Sequence, residues 1–147
     1  MFKALLALHI VFAVFAIGPL AHAVTTAGRG IRTGDASATA AASRMARIYA
    51  YASVLVVLLG FGVMSSKENG KTVAEFGDTW IWLSALLWLI AIAITLGAIV
   101  PTLDKVTDMM RNQESVVALT ARVASIGGVV GLMFAGIVFL MVYRPGS

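Results

Sequence analysis

Four long runs of nearly uninterrupted apolar residues, at about 4–24, 48–64, 80–100 and 123–142, constrain this chain more than any other feature. A helix rises 1.5 Å per residue and the hydrocarbon core of a bilayer is about 30 Å thick, so about 20 apolar residues make one crossing. Within lipid every backbone N–H and C=O has to be satisfied by the chain itself, which leaves helices and closed barrels as the spanning structures. Barrel strands alternate apolar and polar residues, whereas these runs are apolar on every side, as in Val54-Leu55-Val56-Val57-Leu58-Leu59. The expected fold is all-α: one polytopic membrane domain over residues 1–147, with four transmembrane helices in a bundle. Composition agrees, since 60% of the residues are hydrophobic and 12% charged, against about 45–50% and 25% in soluble domains.

The first run, Ala4 to Val24, has the layout of a secretory signal, with Lys3 as a basic start and Ala21-His22-Ala23 as a small-residue cleavage pattern. It is read here as a retained span with a bend near Gly18-Pro19. The third run is expected to end at Pro101, because proline cannot continue the hydrogen-bond ladder. The fourth is also legible as the outer part of a longer helix beginning near Glu114. Around the ends of the spans, Arg29, Arg32, Arg44, Arg47, Lys105, Arg111 and Arg122 lie on one side, and Lys3, Lys67, Lys71 and Arg144 on the other. The positive-inside rule then places both termini outside, and loops 25–47 and 101–122 in the cytoplasm, in an arrangement expected of a bacterial plasma membrane protein. Trp80, Trp82 and Tyr143 would mark the outer interface, and Tyr49 and Tyr51 the inner one.

Residues 25–43, rich in Gly, Ala, Ser and Thr, read as a flexible strap. Ser65 to Thr79 reads as a polar hairpin turning at Asn69-Gly70. In 102–114 the apolar Leu103, Val106, Met109 and Met110 recur at helical spacing among charges, the pattern of an amphipathic helix at the inner surface. A faint repeat is also legible: each half reads as apolar helix, proline (Pro19, Pro101), basic loop, then an arginine (Arg47, Arg122) opening the next span. That order implies two parallel helical pairs about an axis along the membrane normal.

The chemistry-bearing residues are few. The absence of cysteine excludes disulfides, thiolate metal sites, iron–sulfur clusters and thiol nucleophiles. The net charge of +4 belongs to loops beside anionic lipid, so no nucleic-acid partner is read from it. His9 and His22 lie 13 residues apart on one helix, about 20 Å, and cannot share a metal or a haem. His9 is a weak candidate for cofactor binding and otherwise a polar residue facing a neighbouring helix. Every Asp and Glu falls in a loop, so no span holds the carboxylate that coupled pumps use. No catalytic constellation, metal site or cofactor is expected. Arg44, Arg47 and Arg122 are candidates for contact with lipid headgroups or with a partner's charge.

The clearest motif is a strip of small residues on the fourth span, Ala124, Gly127, Gly128, Gly131 and Ala135, built on GxxxG spacing. Such strips let backbones approach closely where no hydrophobic effect drives helices together. Together with the aromatics Trp80, Trp82 and Trp88, the strip is the expected surface for helix packing or a partner subunit. The methionines form no cluster with histidine and read as core filling.

Leu8-His9-Ile10, Gly18-Pro19, the Arg44–Tyr51 entry to the second helix, Trp80-Ile81-Trp82-Leu83 and Val100-Pro101 resemble the DUF2269-like small four-helix integral membrane proteins, whose activity is not established. The chain is also similar to accessory subunits found around the actinobacterial, mycobacterial cytochrome bcc–aa3 respiratory supercomplex. That resemblance implies a non-catalytic accessory subunit or association factor, without a redox centre, whose partners are other membrane subunits of respiratory complexes III and IV and phospholipids. The competing expectation is a small transporter, or a haem- or quinone-binding redox protein, centred on His9 and Arg122.

Overall fold

A computed structural model describes residues 1–146. The architecture is the expected all-α bundle of four helices, each long and apolar enough to cross a membrane: Phe2–Arg32, Ala36–Met64, Thr79–Arg111 and Val117–Tyr143. They are longer than the apolar runs. At 27 to 33 residues, each exceeds the 20 or so needed for the hydrocarbon core, so their ends project into the headgroup layer. Met1, the C-terminal end of the fourth helix and the Ser65–Asp78 connection lie at one end of the bundle, the hairpin end. The two arginine-rich turns lie at the other.

The strap expected over 25–43 is helical. Phe2–Phe12 (α1) and Gly18–Arg32 (α2) form the first span and Ala36–Met64 (α3) the second, with three residues between them. Gly34 takes a left-handed φ of 67° just past the end of α2, the glycine stop that closes many helices. Asp35 then caps α3, accepting a hydrogen bond from the Ala38 backbone N–H at 3.0 Å. Alanine is the strongest helix former, so a stretch of Ala, Ser and Thr behind a stop and a cap propagates as helix.

Pro101 does not end the third span. That span is Thr79–Ile94 (α4), a π-helical turn Thr95–Ile99, and Val100–Arg111 (α5). The first span contains the same device, a π-helical turn Ala13–Ile17 ahead of Pro19. A proline ring collides with the carbonyl four residues back, and the wider turn moves that carbonyl aside. Val100 N–H accordingly bonds to the carbonyl of Thr95, five residues earlier. The expected surface helix 102–114 is therefore the end of a span, and it buries Val100, Leu103, Val106 and Thr107 against its neighbours. Val117–Tyr143 (α6) completes the bundle. In the connection between α3 and α4, Lys67–Glu68 (β1) pairs antiparallel with Lys71–Thr72 (β2). Asn69 and Gly70 both have positive φ between them, the two-residue turn that such hairpins favour.

The repeat is more definite than the sequence expectation. Ala16, Ile17, Pro19, Val24, Thr25 and Arg29 align without a gap on Ala98, Ile99, Pro101, Val106, Thr107 and Arg111. The π-helical turns start at the same distance ahead of the two prolines. Packing follows the duplication in part: α2 of the first half packs on α6 and α5 of the second half on α3, and α1 packs on α3 as α4 does on α6, but α2 also packs closely on α3 whereas α5 barely touches α6. The buried core is thin and lies where these helices cross, with Leu20, Val24, Leu103, Val106, Val123 and Val130 fully enclosed.

Candidate functional site

Among the described residues at the depth of the spans, two side-chain hydrogen bonds cross between the chain's own helices and others close back on the helix that bears them, while the buried Ser84 hydroxyl has no partner. His9 Nδ1 donates to the backbone carbonyl of Val56 across to α3 at 2.9 Å. Gly60, one turn on, makes room for the ring, since a Cβ there would stand 3.1 Å from His9 Cε1. Trp88 Nε1 donates to Ser53 Oγ at 3.0 Å, and Ser53 donates to Ala50 O. Thr95 Oγ1 donates to Ala91 O at 2.7 Å. His22, by contrast, is exposed. Among the described residues no group of three or more His, Cys, Asp or Glu is placed to hold a metal ion.

His9 and Arg122 are not brought together. His9 packs on α3 in the hairpin half of the bundle, while Arg122 lies in the second turn of α6 beside Ala124, whose Cβ meets Gly28 near the arginine end. About 19 residues of helix, roughly 28 Å, separate His9 from Gly28. A single site containing both would have to bridge most of the bilayer.

The small-residue strip divides between two faces. Gly127 and Gly131 turn inward onto α2: a Cβ on Gly127 would come 2.0 Å from Val24 O, and one on Gly131 2.7 Å from Thr25 Cγ2. These positions pack helices within the chain and offer nothing to a partner. Gly128 and Ala135 face outward, in line with Leu132 and Phe139, whose side chains are exposed. The tryptophans divide too. Trp82 is exposed and donates to Phe76 O at 2.5 Å. Trp80 is half-buried beside Met64, Ala74 and Ile81, with the Arg144 guanidinium 5.6 Å from its ring centre. Trp88 is taken up by Ser53, so of the three only Trp82 leaves most of its ring exposed, its N–H already being used by Phe76.

A polar concavity lies at the arginine end between α3 and α5. It is a cleft of about 450 Å³ lined by Ala40, Ser43, Arg44, Arg47, Ile48, Asp104, Thr107, Asp108 and Arg111. Its floor is a polar seam. Thr39 and Thr107 share a hydrogen bond between their hydroxyls at 2.8 Å, and Ser43 donates to Asp104. Arg47 reaches the other oxygen of Asp104 at 2.7 Å, a pair about half exposed on each side. Arg44 and Arg47, read from the sequence as headgroup or partner contacts, thus share a cleft with Asp104, Asp108 and Arg111, whose helical face the sequence suggested only as a solvated surface, whereas Arg122 stands on α6 outside the cleft. The missed signal was the continuation of the third span through Pro101. The amphipathic helix expected over 102–114 was read as lying on the membrane surface; as the continuation of the span it packs on α3 and brings Asp104, Thr107, Asp108 and Arg111, at spacings of three and four, against Arg44 and Arg47.

Fold and site together define an integral membrane four-helix bundle with internal duplication. The chain matches no family model, no curated protein and no solved structure.

Proposed function

We propose that this chain is a non-catalytic accessory subunit of a larger membrane protein complex, acting through the helix surfaces it presents. One observation carries the reading. Most of the bilayer-depth hydrogen-bonding side chains, His9, Ser53, Trp88 and Thr95 though not Ser84, are spent on the chain's own helices, while an apolar face of α6 containing Leu132, Val138, Phe139 and Val142 lies open. Association in lipid rests on shape and close packing, and small residues at Gly128 and Ala135 leave that face flat enough for another helix. In a bacterial plasma membrane the excess of Lys and Arg would set the arginine end, with 25–47 and 101–122, on the cytoplasmic side.

Affinity purification of the full chain in mild detergent tests this. The expected result is co-purification of defined membrane subunits at fixed stoichiometry, lost in the double variant Gly128→Leu/Ala135→Leu. The resemblance drawn from the sequence points to cytochrome bcc–aa3 subunits as the companions. Recovery of the chain alone, or full stoichiometry in the double variant, overturns the reading. A haem band in a reduced-minus-oxidised spectrum of the isolated chain would favour the redox alternative instead.

A further inference from the structure

The duplicated architecture closes one of its crosswise helix pairs and opens the other. Between α2 and α6, Gly127 sits on the Val24 carbonyl and Gly28 on Ala124, so backbone meets backbone. Between α3 and α5 the contact runs through side chains, Thr39 with Thr107 and Ser43 and Arg47 with Asp104, and a cleft opens beside it. Its lining holds three arginines and two aspartates, a net positive charge of one. Asp104 is already engaged by Ser43 and Arg47. Arg44 and Arg111 are exposed and have no ion-pair partner among the described residues, and Asp108 is the remaining carboxylate in the lining.

The depth of this site matters as much as its charge. Residues 48–64 of α3 contain no charged group and extend about 25 Å, so Arg44 and Arg47 lie at the edge of the hydrocarbon. From the mouth of the cleft, Ile48, Tyr51, Leu55 and Leu58 run down α3 at spacings of three and four, all exposed. A basic, hydroxyl-floored pocket at headgroup depth therefore opens directly onto an apolar track along the same helix.

We propose that this cleft binds an anionic phospholipid. Its phosphate would be held by the Arg44 and Arg111 guanidinium groups, and an acyl chain would lie along Ile48, Tyr51, Leu55 and Leu58. Guanidinium groups form paired charge-assisted hydrogen bonds to phosphate oxygens, and the cleft volume falls within the roughly 300–1,000 Å³ of ligand sites. The apolar track is what distinguishes a lipid from a free phosphate: phosphate alone would use the arginines and leave the track bare. The proposal stands apart from the accessory-subunit reading, because it concerns the isolated chain.

The test uses the delipidated full-length chain in neutral detergent, with native mass spectrometry to count bound lipid. Phosphatidylglycerol is expected to bind at one tight equivalent, at least tenfold more tightly than phosphatidylcholine, with affinity falling as salt rises. Arg44→Gln with Arg111→Gln removes that preference. Arg122→Gln, outside the cleft, leaves it intact. Leu55→Asn with Leu58→Asn weakens phosphatidylglycerol binding severalfold, and Arg44→Lys with Arg111→Lys retains the preference for the anionic lipid. The arginines are exposed, and an unchanged circular dichroism spectrum shows that each variant folds. Equal binding of the two lipids overturns the proposal, as does wild-type affinity in the Arg44→Gln/Arg111→Gln protein. If millimolar inorganic phosphate displaces the phosphatidylglycerol, or the Leu55/Leu58 variant binds it unchanged, the site recognises phosphate and not lipid.

Discussion

A Cβ on Gly127 would lie 2.0 Å from the carbonyl oxygen of Val24, so α6 and α2 meet at a point where no side chain fits. The obstacle is backbone and cannot swing away. Gly127→Ala is expected to destabilise the bundle by about 1–3 kcal/mol through overpacking. Gly128→Ala, one residue on and facing out, should change stability by less than about 0.5 kcal/mol. Gly131→Ala should fall between, because its obstacle is the Thr25 methyl, the end of a side chain. Thermal unfolding of the three variants in one detergent measures the order, and equal losses at Gly127 and Gly128 would contradict the packing described.

The contrast between Gly127 and Gly128 also shows how far the sequence could be read. Number, type and approximate position of the spans were legible because continuous apolar runs admit one spanning solution. That the Gly-rich strip would pack something was legible too, but its division into an inward Gly127/Gly131 face and an outward Gly128/Ala135 face was not. A one-residue step turns a helix by about 100°, and which face meets α2 depends on the rotation of the whole helix. The strap and the Pro101 stop were misread for local reasons. Gly34-Asp35 is a stop and a cap in succession, and a π-helical turn accommodates the proline. The cleft depended on both, since its α3 wall begins in the supposed strap and its α5 wall lies beyond the supposed stop.

His9 provides a second measurable tie. Its Nδ1 bonds across the helix pair to Val56 O, while that carbonyl also belongs to the helical ladder of α3. Loss of the ring therefore orphans no acceptor. His9→Ala is expected to cost about 0.6 kcal/mol and no more than about 1.7 kcal/mol for the bond itself, the average and the maximum for single interhelical hydrogen bonds in membrane bundles. Gly60→Ala, which crowds the ring at 3.1 Å, should move stability in the same direction. Combined with His9→Ala it should add little, and full additivity in the unfolding free energies would show that the two residues do not act together.

Asp104 joins α5 to α3 through Ser43 and Arg47. Because the ion pair is about half exposed, its coupling should stay within about 0.2–1 kcal/mol, as for other solvated pairs. The hydroxyl contact is more enclosed, Ser43 being buried. A double-mutant cycle of Arg47→Ala with Asp104→Ala isolates the first term, and Ser43→Ala with Asp104→Ala the second. The Ser43 coupling is expected to equal or exceed the Arg47 coupling and to resist salt, whereas the Arg47 term should shrink as ionic strength rises.

The π-helical turn ahead of Pro101 makes the sharpest structural prediction. A π-helical turn amounts to one residue inserted into an α-helix, so deleting one residue there restores ordinary helix while preserving the faces on either side. Gly97 suits the deletion, because nothing lies within 4 Å of where its Cβ would be. Without the wider turn, however, the Pro101 ring again meets the carbonyl four residues back, at a cost of about 3 kcal/mol or more. Removal of Gly97 alone should therefore lower the unfolding temperature strongly. Adding Pro101→Ala to the deletion should recover most of the loss, since Leu103 and Val106 keep their fully buried places. Pro101→Ala without the deletion should leave the π-helical turn in place: closing it would rotate α5 by about 100° and turn those two residues out of the core. Failure of Pro101→Ala to rescue the deletion would mean that something other than the proline ring holds the turn open.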